Sequence, residues 1–211
     1  MSVKNLVRAN GDFFTIDINT KEKRFWDPNR SKVCAALKKG INFFPIKEDF
    51  TVLYLGCAEG YTCSYISDLV DNGIIYGVDL SPHSMQKFVL LCKERKNLVP
   101  VLCDANKLGE YDLLNGIKVD LIIQDVAQKN QVEILNKNAK LFLKPKGHFI
   151  LSLKTTAISQ KNTKDIIENE IKKLEKDFEI IEKRRLDPFE KKHILIIGKK
   201  KWIICLFPQN A

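Results

Sequence analysis

An α/β domain built on a mostly parallel sheet is predicted by three observations. The stretch Thr51-Val-Leu-Tyr-Leu-Gly-Cys-Ala-Glu-Gly60 reads as a buried strand of large apolar side chains, broken by Gly56 and Gly60. The segment that follows places Tyr61, Tyr65, Ile66, Leu69 and Val70 on one helical face. A second strand, Ile74 to Val78, comes after an Asn72-Gly73 turn and ends on Asp79, 19 residues after Gly60. Strand, glycine turn, helix and acid-tipped strand make the front end of a nucleotide-binding unit.

The chemistry of that unit follows from its parts. Glycines let backbone approach a ligand closely, and a helix N-terminus offers unpaired N–H groups to a carboxylate or phosphate. A carboxylate at Asp79 suits a ribose diol. No Gly-Lys-Ser/Thr follows the turn, so an adenosine-containing molecule fits better than a lysine-gripped triphosphate. An ordinary βαβ turn without a ligand is the plainer reading of the glycines taken alone.

The rest of the chain extends the pattern. Phe13 to Ile18 and Lys23 to Trp26 read as an N-terminal hairpin, giving a small β appendage over residues 1–27 before a main domain of residues 28–211. Asp27-Pro28 is expected to cap a helix from Asn29 to Lys39, stopped by Gly40. Arg30, Ser31 and Lys32 fall in its first turns, either on a solvated surface or facing a negatively charged ligand. Ser81-Pro82 opens a further helix with Met85, Phe88, Val89 and Cys92 on its apolar stripe, and Leu98 to Cys103 forms a third strand ending at Asp104-Ala105. The fourth strand, Val119 to Gln124, exits through Asp125-Val-Ala-Gln128. A helix from Asn130 to Leu143 is expected to be closed by Pro145 and Gly147, before a fifth strand from His148 to Leu153 that ends at Lys154.

Thr163 to Asp177 makes a charged amphipathic helix with Ile166, Ile167, Ile171 and Leu174 inward. Phe178 to Leu186 and His193 to Gly198 are the sixth and seventh strands, and their short connection implies antiparallel pairing. The apolar tail from Trp202 to Phe207 fits an edge strand, a partner contact or a covering flap. Asp79, Asp104, Asp125 and Lys154 all stand at C-terminal strand ends, the rim where α/β domains hold ligands. Asp104 can accept from an adenine amino group or simply close a turn. Lys154 beside Asp125 reads as a structural ion pair or as a catalytic pair.

Composition bounds the partners. The 211 residues carry a net charge of +9. Residues 1–105 hold 14 basic and 12 acidic side chains, and residues 106–211 hold 21 and 14, so the excess sits in the second half. That balance favours a polyanion over a small neutral substrate, although a lysine-rich solvated surface gives the same charge. No apolar run reaches the ~18 residues of a membrane span, and Met1-Ser-Val-Lys-Asn5 carries no apolar signal core. The six cysteines form no Cys-x-x-Cys pair, so no metal site is expected and the thiols read as reduced core residues of an intracellular protein.

Seven strands alternating with helices, with acids at the ends of strands two, three and four, describe a class I methyltransferase with a Rossmann-like sheet whose last strand is antiparallel. Phe25-Trp-Asp-Pro-Asn-Arg-Ser-Lys32, Val52-Leu-Tyr-Leu-Gly56, Ile75-Tyr-Gly-Val78, Asp125-Val-Ala-Gln128 and Pro188-Phe-Glu-Lys-Lys-His193 together resemble the fibrillarin family over nearly all of residues 10–200. The family's Gly/Arg-rich N-terminal extension is missing, so the organisation looks archaeal, which implies the cytoplasm (or the nucleolus in a eukaryote).

The resemblance implies an RNA ribose 2′-O-methyltransferase that uses S-adenosyl-L-methionine on rRNA and tRNA. It implies a box C/D guide RNA and its target RNA, a Nop-type scaffold protein and a kink-turn-binding protein as partners, and no membrane. Carried over by motif, Gly56, Tyr61 and Thr62 would lie at the methionine end of the cofactor. Asp79 and Leu80 would meet its ribose, Asp104 and Ala105 its adenine, and Asp125, Val126, Ala127 and Gln128 would flank the reacting centre. Lys32, Asp125, Lys154 and His193 would surround the 2′-hydroxyl as the catalytic set, with Glu190 an alternative for the fourth place. The family usually has Thr-Thr where Tyr61-Thr62 stands, often Glu at Asp79, often Pro at Lys129, and Asp at Lys192. A non-catalytic RNA-binding scaffold of the same fold is the rival reading, with Tyr61 as its best argument; a small-molecule methyltransferase is a third.

Overall fold

β4 (Thr51–Leu55) is buried on both faces as an interior strand of a seven-stranded sheet. Val52 and Tyr54 point into one apolar cluster, while Leu53 and Leu55 point into the other. This two-sided burial explains the continuous apolar run in the sequence. β5 (Ile74–Asp79) and β7 (Val119–Gln124) flank β4 in parallel, with β6 (Leu98–Leu102) beyond β5 and β8 (Leu143–Lys154) beyond β7. β10 (His193–Lys200) inserts antiparallel between β8 and β9 (Phe178–Arg185). The spatial order is β6-β5-β4-β7-β8-β10-β9. The chain is seen in a computed structural model that describes residues 3–111, 114–158 and 163–201. The expectations for the tail from Trp202 to Phe207 fall outside those residues.

Helices cover both faces of the sheet: α1 (Lys32–Lys38), α2 (Tyr61–Leu69), α3 (Pro82–Glu94), α4 (Gln131–Phe142), α5 (Thr155–Ile158) and α6 (Thr163–Leu174). Ser81 caps α3 as the sequence implies, its hydroxyl accepting from the Ser84 N–H with Pro82 in the first turn. No helix among the described residues is long and apolar enough to cross a membrane.

Three expectations are corrected. The first helix starts at Lys32, not Asn29. Asp27 closes a local turn instead, its Oδ1 accepting from the Asn29 N–H at 2.9 Å, and the cap is Ser31, whose hydroxyl accepts from Cys34 N–H. Pro145 and Gly147 do not close α4. That helix ends at Phe142, Leu143 is already extended, and both residues lie within β8, where its pairing with β7 shifts register. The N-terminal unit is a three-stranded sheet, not a hairpin: β1 (Leu6–Ala9) joins β2 (Asp12–Ile16) and β3 (Lys23–Phe25). The turn between β1 and β2 is Asn10-Gly11, with both φ values positive (52° and 78°), the geometry of a tight hairpin.

This small sheet shares its core with the large one. Phe13 and Trp26 belong to the same apolar cluster as α1, α2 and β4, and Trp26 stacks on Tyr65 with ring centroids 5.2 Å apart. Beside them sits a buried polar knot. Asp68 of α2, fully buried, accepts from Arg95 Nη1 at 2.6 Å, Arg24 Nη1 at 2.7 Å and Thr15 Oγ1 at 2.6 Å, and Arg95 also pairs with Asp17. Every charge in the knot has an opposite partner, the condition for burying such groups.

Candidate active site

The site begins where β4 ends. Gly56 has φ +80°, and a Cβ built on it would lie 2.6 Å from the carbonyl oxygen of Asp125. Only glycine allows β4 and the loop leaving β7 to come this close. The N–H groups of Gly56 and Cys57 both donate to Val78 O, folding the turn onto β5. Gly60, at φ +88°, precedes α2 and meets the Phe88 ring of α3.

These contacts leave a cleft of about 330 Å³, lined by Gly56, Ala58, Val78, Asp79, Leu80, Cys103, Ala105, Asp125, Val126, Ala127 and Gln128. Its size is at the lower end of ligand pockets. The walls are largely apolar, with the carboxylates of Asp79 and Asp125 among them, while Asp104 lies next in the chain to the lining residues Cys103 and Ala105. Asp79 accepts from Ala58 N–H at 2.8 Å and Ser81 N–H at 2.9 Å, so its carboxylate is fixed at the tip of β5. Asp104 accepts from the backbone and side-chain amides of Asn106, and the Asn106 amide in turn donates to Gln128 at 2.6 Å. The Asn106 N–H is the chief reason the Asp104 carboxyl is held below its usual range. An apolar slot with Asp79 fixed at the tip of β5 fits the adenosyl group of S-adenosylmethionine. Gly56, which leaves room where any side chain would collide, lines it beside Asp125.

At the cleft mouth Lys32, the first residue of α1, reaches Asp125: Nζ to Oδ2 is 2.9 Å, and Glu190 Oε1 is 3.8 Å from the same nitrogen. Burial works against the Lys32 ammonium, but the attraction of Asp125 and then Glu190 outweighs it and raises its pKa. Lys32 therefore stays charged. Glu190 also lies 3.8 Å from His193 Nδ1, and that ring nitrogen sits 3.0 Å from Lys191 O. Lys154 is directly opposite His193 across β8 and β10. The topology thus brings Lys32, Asp125, Glu190, His193 and Lys154 to one end of the sheet.

Two site expectations change. Asp125 is paired with Lys32, and among the described residues the Lys154 ammonium has no carboxylate within 4.0 Å, so Asp125 and Lys154 are not an ion pair. The reason is reach: the start of α1 lays Lys32 across Asp125 first. Tyr61 does not line the cleft. Its ring lies beneath the Arg30 guanidinium and beside Tyr65, facing a separate, open depression, while Thr62 donates to Ser31 Oγ at 3.2 Å.

Sequence reasoning passed over Ala58, Val78 and Cys103 as cleft walls. Val78 and Cys103 stand beside the acids at two strand ends, so the acids already marked them. It also passed over Gln131. Fully buried at the start of α4, Gln131 accepts from Lys154 N–H at 2.9 Å and donates to Lys154 O at 3.1 Å, while its own carbonyl accepts from Gln124 at 2.7 Å. Nothing in the sequence separates this glutamine from its polar neighbours. Among the described residues no group of three or more His, Cys, Asp or Glu is gathered to hold a metal. The five described cysteines are free, and burial pushes the thiols up, Cys92 and Cys103 to about 11.

Comparison with known proteins agrees with this geometry. The family model described as Fibrillarin matches residues 2–202. The fibrillarin-like rRNA/tRNA 2′-O-methyltransferase of Methanocaldococcus jannaschii is 43% identical over 185 residues, covering 87% of this chain and 80% of the relative. The crystal structure of a fibrillarin/Nop5p complex superposes with a TM-score of 0.87 at 36% identity, covering 93% of this chain and 98% of that one. Aeropyrum pernix fibrillarin with natively bound S-adenosyl-L-methionine gives 0.81 at 30% identity, covering 94% and 98%. With its whole described length matched and the cleft and charged mouth formed from the matching motifs, the chain belongs to the fibrillarin family.

Proposed function

We propose that this protein is an S-adenosylmethionine-dependent RNA ribose 2′-O-methyltransferase acting on rRNA and tRNA. The observation that carries the reading is the Lys32–Asp125 pair at the open end of the cleft between Gly56 and Gln128. S-adenosylmethionine in that cleft supplies a methyl group on a positively charged sulfur. The cofactor-holding residues are Gly56, Asp79, Leu80, Asp104, Ala105 and Asp125 to Gln128.

The protein's own task is alignment and proton handling. Lys32, kept charged by Asp125 and Glu190, stabilises negative charge developing on the 2′-oxygen. A lysine held as ammonium cannot take a proton. We assign orientation of the hydroxyl to Lys154, whose backbone is fixed by Gln131; it can take the hydroxyl's proton only from its neutral form, and otherwise acts by its charge. Glu190 and His193 complete the charged rim, with Glu190 nearer to Lys32.

The partners we propose are a Nop-type scaffold protein, a box C/D guide RNA with its target, and, indirectly, a kink-turn-binding protein. The solved fibrillarin/Nop5p complex supports the first. The non-catalytic reading loses its main argument, because the Tyr61 ring lies outside the cleft. The test is methyl transfer to guide-programmed RNA with and without the partner proteins, reading the modified position. Transfer at one guide-specified ribose is the expected result. Cofactor titration without heat at millimolar ligand, together with no transfer, would leave the scaffold reading standing.

A further inference from the structure

Residues 30 to 32 make three successive contacts on one side of the site. Arg30 lies over the Tyr61 ring, 3.9 Å from guanidinium carbon to ring centroid. Ser31 accepts from Thr62 at 3.2 Å, and Lys32 reaches Asp125 at 2.9 Å. The Ser31–Thr62 hydrogen bond ties the start of α1 to the start of α2, so Arg30 over Tyr61 and Lys32 over Asp125 are set by one hinge point. Two residues of chain span at most about 7 Å, so the backbone of Arg30 lies close to that of Lys32 at the site's edge.

Three acids, Asp17, Glu59 and Glu94, share the depression beside this arginine, and none of them is within ion-pair distance of it. Glu59, the acid whose field reaches Arg30, is paired with Lys87, and Asp17 is taken by Arg24 and Arg95. Among the described residues the exposed Arg30 guanidinium makes no ion pair. Its guanidinium sits over an aromatic ring and lines an open depression of about 420 Å³. An exposed guanidinium seated on a ring and free of ion pairs is suited to hold a phosphodiester.

We propose that Arg30, seated on Tyr61, binds a backbone phosphate of the RNA strand next to the target ribose. Tyr61 is then part of the RNA surface, as the seat for the arginine. The proposal rests on the methyltransferase reading and names a contact for its substrate.

The test uses the full chain and a guide–target RNA duplex. Arg30→Ala should raise the RNA Kd about tenfold, the size of one charge-assisted contact. It should also flatten the slope of log affinity against log salt by about 0.7–0.9, one phosphate's worth. The Kd for S-adenosylmethionine should hold. Tyr61→Leu should give a smaller loss of RNA affinity of the same kind, and Arg30→Lys should recover the salt slope but not the full affinity. RNA affinity and salt slope unmoved in Arg30→Ala would overturn the proposal. A selective loss of cofactor affinity would overturn it too, assigning Arg30 to the methionine carboxylate. Absence of methyl transfer by the wild-type chain with its partner proteins present would instead sink the enzymatic reading, and the RNA measurement would still report on Arg30.

Discussion

Lys32 and Asp125, 93 positions apart in sequence, meet at 2.9 Å between the first turn of α1 and the exit of β7. Removing one member leaves the other half-buried without its partner. Asp125→Asn should cut methyl transfer by about 100-fold, within the range for groups that handle charge at a reacting centre. Single-turnover assays at saturating cofactor measure it; a rate within twofold of wild type would remove Asp125 from the mechanism.

Lys154→Ala deletes an amine that has no ion pair among the described residues, so the fold should lose little. Its melting temperature should stay within a few degrees while transfer falls by about 10²–10⁴-fold. A variant that binds cofactor normally and methylates at full rate would exclude Lys154 from catalysis.

Gln131→Leu removes both side-chain hydrogen bonds to the Lys154 backbone from a fully buried position. The stranded amide and carbonyl should cost about 1–3 kcal/mol in chemical denaturation. Transfer should slow while cofactor affinity holds.

Gly56→Ala places a methyl group 2.6 Å from the Asp125 carbonyl on a left-handed backbone. Strain of about 1–3 kcal/mol and a closed cleft should follow. Calorimetry should show cofactor affinity reduced at least tenfold.

Acid stability should depend on Asp17. Burial opposes its charge, but the N–H groups of Thr20 and Asn19, with Arg95 and Arg24, lower its pKa below the ordinary 3.8. A depressed carboxylate stabilises the folded state above the unfolded value and loses that contribution as pH falls through the folded one. Wild type should therefore exceed Asp17→Asn in stability at neutral pH, and the gap should close below about pH 3.8. A gap that stays constant down to pH 2 would contradict this.

What the sequence made legible was local. β4, α2 and β5 carry their own signals in the apolar run, the glycines and the acid tip, and the structure reproduces them nearly residue for residue. Ser81-Pro82 announced α3 because cap and first-turn proline act within four residues. Asp27 misled because the same side chain that caps helices also closes tight turns, and Ser31 stood nearby as a competing cap. β1 was announced by Asn10-Gly11, a signal present but passed over. The choice between Lys32 and Lys154 as partner of Asp125 depends on where α1 lies in space, and no local pattern encodes that.

The knot of Asp17, Arg24, Asp68 and Arg95 also decides how deletions should be interpreted. Trimming the chain to start at residue 28 would strip Asp68 of Thr15 and Arg24, take Asp17 from Arg95, bare the Tyr65 ring that Trp26 covers, and leave the buried Asp68–Arg95 pair without its other partners. Inactivity of such a shortened chain would signal collapse of the catalytic body, not loss of a detachable recognition module.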